Sequence, residues 1–281
     1  MKNLLVIIAL LLVSTVDAKS FVWKVEKDGK HAYIGGTVHV LRGQDVIPEV
    51  YHTAFKEADV LVTEVDIQEM ASAAMSMMAM GRYQDGMTLD KALSPEVFAK
   101  FEVFCKKNKF PVDSFLRLKP TMVSINIVMS MMLREGVSPE GVDMYFTKKA
   151  LEQGKKRDAL ESVKDQFDAL FNDKVNPDQI ILTTIRDSEH VKELLDGMIG
   201  GLFAGDTELF VNDFLGPMKE ETPEFYKSLI EVRNNNWMPK VEQLLATPEV
   251  ELILVGGLHL VGDIGVIHQL EEKGYKVTQL D

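Results

Sequence analysis

A chain of 281 residues, 46% of them hydrophobic, is long enough to bury a sizeable core as one large domain or two small ones. Its net charge is −12 and no basic stripe interleaved with aromatics offsets it, so nucleic acid is not an expected partner. Cys105 is the single cysteine, which excludes an intrachain disulfide and leaves the fold to rest on its core.

Residues 1–18, MKNLLVIIALLLVSTVDA, carry Lys2, an apolar run from Leu4 to Val13, and Val16-Asp17-Ala18 before Lys19. That is the pattern of a cleaved signal peptide, and the run is shorter than the roughly 20 apolar residues of a membrane span. No cysteine follows the run to mark a lipoprotein. The mature chain, residues 19–281, is expected as a single domain, periplasmic in a Gram-negative cell and secreted elsewhere.

FVWKVEKDGKHAYIGG alternates apolar and polar residues about Asp28-Gly29, which predicts a β-hairpin. His39 follows its second arm. A helix beginning at Pro48 and reaching residue 58 comes next, then a strand over 58–66. The middle of the chain reads as helices over 70–80, 94–108, 121–136 and 142–154, a short strand at 156–162, and further helices to about residue 246. Asp143 reads as the cap of a helix over 143–153. The C-terminus repeats the plan of the N-terminus. ELILVGG is a strand, His259 follows it, 264–273 is an amphipathic helix with Asp263 as N-cap and Gly274 as its stop, and 276–280 is a last strand. The predicted fold is α/β (α+β): a central sheet built from two β-α-β units at the chain ends, 19–66 and 251–281, with a mainly helical insertion over 67–250.

The two units share a Gly-x-x-His device, Gly36 to His39 and Gly256 to His259. Each His lies just past a strand end. In open α/β sheets ligands sit outside the carboxyl ends of parallel strands, and side chains there project toward solvent or ligand. Glu64, in VTEVD, falls at the corresponding end of the strand that closes the first unit. Two imidazoles and a carboxylate form a recognised metal set with a position left for water, which suits metal-assisted hydrolysis. His39, Glu64 and His259 are therefore candidate ligands. The second unit has no counterpart of Glu64, so one site is expected and not two.

The chain resembles the TraB/PrgY/GumN family, which includes the animal Tiki proteins. The resemblance rests on IGGTVH, ADVLVTEVD, GVDMYF, ALESVKDQ, RNNNW and VGGLHLVGDIGVIHQLEEKGYKV in this order. It implies a metal-dependent peptidase or amidase that uses the two Gly-x-x-His motifs and the glutamate, with Mn²⁺ or Co²⁺ as the metal and Zn²⁺ as a further option. It also implies a wider set of residues. Glu161, Arg233 and Asn234 fall at catalytic positions, and Gly36, Gly256 and Gln166 at substrate-binding ones. Each carries an alternative. Arg233 either meets an oxyanion or pairs with a carboxylate. Asn234 orients substrate or caps a helix. Glu161 acts as a general base, supports a ligand His, or plays a plain structural part. Some relatives are regulators of peptide signalling, so the second reading is a non-catalytic peptide- or ligand-binding protein of the same fold. The methionine clusters at Met70, Met75, Met77, Met78 and Met80 and at Met129, Met131 and Met132 offer a pliable apolar surface for a hydrophobic partner or a membrane surface.

Overall fold

The computed structural model describes residues 19–281. The signal peptide expected over residues 1–18 lies outside them. The predicted hairpin forms from β1 (Val22–Lys27) and β2 (Lys30–Thr37), antiparallel, with Lys27 opposite Lys30. Asp28 and Gly29 both take positive φ, 50° and 77°, as the two-residue turn matching right-handed strand twist requires. After β3 (Leu41–Arg42) and the helix Glu49–Glu57 comes β4 (Val60–Thr63). Pro48 is the cap of that helix and not its first residue. β5 (Val137–Ser138) pairs with β3 in a small second sheet. β6 (Lys156–Ala159), β7 (Glu251–Gly256) and β8 (Lys276–Gln279) complete the main sheet, in the order β6-β4-β7-β2-β1-β8.

β7 is the inserted strand that joins the two chain ends. It runs parallel to β2, with Thr37 opposite Gly256, and parallel to β4, with Thr63 opposite Leu254. β4 runs parallel to β6, and β1 lies antiparallel between β2 and β8, so every strand of the main sheet except β1 points the same way. The burial follows the composition. ELILVG is buried along almost its whole length, as a central parallel strand covered on both faces must be. The outermost strands, KRDA and KVTQ, are polar and carry lysines that discourage edge-to-edge pairing. Both expected β-α-β units are present, each a crossover between parallel strands, and the intervening chain is mostly helical.

Two expected helices differ in detail. The helix over 70–80 is two, Ile67–Ser72 and Ala74–Met80, the first capped by Asp66, whose side chain accepts from the Gln68 N–H. The last helix is Val266–Glu272 with Gly265 at its N-cap, and Asp263 caps nothing. Gly265 packs against the Leu260–Val261 backbone, which sets the entry angle that a side-chain cap otherwise sets. Among the described residues, no helix is long and apolar enough to cross a membrane.

One apolar cluster fills the sheet region, around Phe21, Tyr51, Phe146, Trp237 and Leu254. A second lies within the helices and gathers Phe101, Phe104, Ile127, Phe167 and Ile181. Cys105 belongs to the second, where burial pushes its thiol up to about 12, so it is a packing residue and not a nucleophile. Met70, Met77 and Met80 pack against that cluster, while Met75 and Met78 are exposed.

Glu251, at the start of β7, is buried. Its Oε1 accepts from the Thr247 hydroxyl at 2.6 Å, and its Oε2 has no partner. Burial raises its carboxyl pKa, partly offset by Thr247. A carboxyl whose folded pKa exceeds its unfolded one binds more protons in the native state, so its contribution to stability declines as pH rises through that range. Glu251→Gln is expected to raise stability at neutral pH and to leave it unchanged in acid, below the ordinary Glu value of about 4.3. Urea unfolding at the two pH values checks this. An equal effect at both would mean that the charge is not the cause.

Candidate functional site

The parallel alignment of β4, β7 and β2 brings Glu64, His259 and His39 to the same end of adjacent strands. Glu64 directly follows β4 and is buried. Its Oε1 accepts the Gly256 N–H at 2.7 Å, and its Oε2 accepts from Gln166 Nε2 at 3.2 Å and from an Arg233 terminal nitrogen at 2.6 Å. Burial opposes ionisation of Glu64, but the Arg233 guanidinium, the two imidazoles and the Gly256 N–H outweigh it and hold the carboxyl well below the usual range.

His259 sits in the single 3₁₀ turn after β7 and, where projection toward solvent or a ligand was expected, is only 4% exposed. The reason is the helix Val232–Leu245, which lays Arg233, Asn234 and Trp237 over it. The one-, three- and four-residue spacing of these side chains in RNNNW puts all three on one buried helix face. A π-helical segment, Lys227–Glu231, leads into that helix. The Trp237 ring lies 4.4 Å from the His259 ring, centroid to centroid. Asn234 donates its amide N–H groups to the carbonyls of His259 and Ile264, at 3.0 and 2.8 Å, so its oxygen is the acceptor. That oxygen lies 2.6 Å from His259 Nδ1 and places the ring proton there. The lone pair is then on Nε2, which accepts from Arg233 at 2.9 Å. Burial lowers the His259 pKa to about 3, so the ring is neutral.

Arg233 is the hub. Its Nε and one terminal nitrogen bond Glu161, at 2.9 and 2.6 Å, and its other terminal nitrogen also donates to the Leu229 carbonyl at 3.1 Å. The guanidinium carbon stands 4.7 Å from the Trp237 ring centre. Glu161 follows β6 and accepts from the Trp237 indole at 2.9 Å. Burial pushes the Glu161 carboxyl up, and the Arg233 and Trp237 hydrogen bonds pull it back. Both its oxygens accept from these donors, so Glu161 anchors Arg233.

His39 is different: its side chain is 66% exposed. Nδ1 lies 3.1 Å from Asp143 Oδ2. The nearby Asp143 charge raises the imidazole pKa against the opposing effect of burial, and solvent screens the pair. Asp143 was expected as a helix cap, but Gly141 holds the N-cap position of the helix Val142–Glu152. Gly141 is pressed against the Val38 and His39 backbone, where a Cβ has no room, and the Val142 N–H donates to the Val38 carbonyl at 3.0 Å. That docking swings Asp143 to the imidazole. Sequence reasoning missed this partner and Trp237. The signal for Asp143 was the glycine two residues before it, in GVDMYF.

The three residues expected at substrate-binding positions make contacts within the protein. Gly256 and Gln166 orient Glu64. Gly36 is buried, and a Cβ on it would meet Phe21 at 2.5 Å and Leu202 at 3.0 Å, so its glycine is a packing requirement beneath Phe21. Gly36→Ala is expected to cost about 1–3 kcal/mol through overpacking. A thermal melt unchanged from the parent would contradict this.

Among the described residues, no three His, Cys, Asp or Glu side chains stand preassembled as a metal cage. His39 faces Asp143, while Glu64 and His259 share Arg233. An apolar cavity of about 680 Å³ lies among the helices, lined by Ile125, Val128, Leu194, Met198 and Phe214, and its walls include none of the three strand-end residues.

The chain is similar to a curated protein named metalloprotease TIKI homolog from Amphimedon queenslandica, 22% identical over 93% of this chain and 61% of that protein. It is similar also to metalloprotease TIKI1 of Xenopus tropicalis, 22% identical over 92% of this chain and 61% of that protein. It thus spans about three fifths of the length of these relatives. A sequence model of the TraB/PrgY/gumN family matches residues 21–279, from the first strand of the sheet to its last, and the chain belongs to that family.

Proposed function

We propose that the chain is a divalent-metal-dependent hydrolase, a peptidase or amidase, whose metal ligands are His39, Glu64 and His259. The observation that carries this reading is the treatment of the two histidines. Each has its Nδ1 against an oxygen, Asp143 Oδ2 for His39 and Asn234 Oδ1 for His259. An oxygen acceptor at one ring nitrogen fixes the tautomer and turns the other nitrogen toward a metal. With an ionised Glu64, the donors are two Nε2 atoms and one carboxylate, a set that fits Mn²⁺, Co²⁺ or Zn²⁺. A divalent ion held there would lower the pKa of water and polarise a scissile carbonyl.

The protein's own groups have separable tasks in this reading. Gly256 and Gln166 fix the Glu64 carboxylate. Asn234 and Asp143 fix the imidazoles. Arg233, anchored on Glu161 and stacked by Trp237, places a positive charge near the position where negative charge develops on a carbonyl oxygen. The substrate is a peptide or protein, in keeping with the metalloprotease names of the relatives. Residues 19–281 act as one unit, exported through the signal-like residues 1–18 to the periplasm or the cell exterior. Exposed Met75 and Met78 supply an apolar surface for a hydrophobic partner or membrane surface.

One observation favours the second reading, a non-catalytic peptide- or ligand-binding regulator: Glu64 and His259 already satisfy each other through Arg233. Metal content after reconstitution with Mn²⁺, Co²⁺ or Zn²⁺, measured beside cleavage of a peptide library with and without chelator, separates the two. Chelator-sensitive cleavage is expected. Cleavage indifferent to chelator removes the metal from the mechanism, and peptide binding without cleavage favours the regulator.

A further inference from the structure

The five N–H donors of Arg233 are all committed. Three go to fixed anchors, two to Glu161 and one to the Leu229 carbonyl. The remaining two go to Glu64 Oε2 at 2.6 Å and His259 Nε2 at 2.9 Å, two of the atoms assigned above as metal donors. A neutral imidazole nitrogen has a single lone pair. The Asn234 contact keeps the proton on Nδ1, so Nε2 can accept from Arg233 or bind a metal ion, but not both.

We infer that Arg233 is the resident cation of this site: its guanidinium bridges Glu64 and His259 in the metal-free chain, and a divalent ion binds only by taking the His259 lone pair from it. The inference rests on the metal reading above. Glu161 and Leu229 keep Arg233 beside the site after it lets go of His259, so the positive charge is shifted and not lost. The guanidinium supplies the charge and the donors that a buried carboxylate and a buried imidazole both need. The cost is that metal affinity is set by a competition inside the protein. Any change that weakens the Arg233–His259 bond then tightens metal binding.

The experiment is calorimetric titration of Zn²⁺ and Mn²⁺ into the unaltered chain and into Arg233→Ala and Arg233→Lys. Lysine keeps a charge for the two glutamates but lacks the fork that reaches His259 as well. Removing a charge-assisted hydrogen bond that competes with the ion is expected to tighten binding about tenfold or more in both variants. Circular dichroism shows which variants are folded, and Arg233→Lys decides the matter if the alanine variant is not. Equal or weaker binding in a folded variant overturns the inference and leaves the metal reading standing. No binding by any of the three chains overturns the metal reading itself. A structure of the unaltered chain with Zn²⁺ bound provides a test that needs no variant: Arg233 released from His259 Nε2 supports the inference, and Arg233 still bonded to it overturns it.

Discussion

His259→Ala is expected to abolish hydrolysis and to lower metal affinity by far more than the 10- to 100-fold typical of losing an outer partner. The change removes a lone pair assigned to the metal and not merely a residue that orients one. It will also be felt in the fold. The side chain is buried against Trp237, and its removal strands the Asn234 oxygen and one Arg233 N–H. A cavity together with two unmet polar groups costs about 2–4 kcal/mol. Activity must therefore be read beside metal stoichiometry and an unfolding curve, at a temperature where the variant is folded. Full activity in the folded variant would remove His259 from the site.

Glu161→Ala is expected to cost about 3–5 kcal/mol, because it leaves a buried guanidinium without one of its two counter-ions and strands the Trp237 indole N–H. Glu161 accepts from Arg233 through both oxygens and from the Trp237 indole, all beneath the protein surface. Glu161→Gln keeps an acceptor for Trp237 or Arg233 and should lose roughly half as much, since a neutral acceptor bonds a guanidinium about half as strongly. Chemical denaturation of the three chains distinguishes an anchor from a general base. A base would show a large loss of turnover with little change in stability, and an anchor shows the reverse order.

The skeleton of the site was legible because it is local. Asp28-Gly29 specifies its turn, the apolar run before Gly256 specifies a buried strand, and the glycine-then-histidine spacing places both imidazoles at strand ends. What was not legible depends on distant parts of the chain. Asp143 looks like a cap until Gly141 is seen against the His39 backbone. The burial of His259 comes from the helix that precedes β7, and nothing in VGGLH announces a covering tryptophan. Arg233 could be assigned a role by resemblance. Its insertion between Glu64 and His259 depends on the rotation of its helix, which follows a π-helical segment whose sequence gives no sign of the wider turn. The packing around Gly36 was hidden for a related reason. Of the two glycines, Gly256 gives its N–H to Glu64 and Gly36 makes room for Phe21, and only the packing decides.

The seating of β7 between β2 and β4 has a consequence for how the chain comes into being. During synthesis, the two earlier strands emerge long before the strand that separates them. Roughly two hundred residues must be looped out before the central pairing forms, and chains dominated by such distant contacts fold slowly. Until the ribosome has released Glu251–Gly256, β2 and β4 lack the neighbour that covers their backbone edges. A nascent chain in that condition stays unlocked until those residues emerge. A core that cannot close until then leaves its apolar strands open to aggregation for as long as the wait lasts.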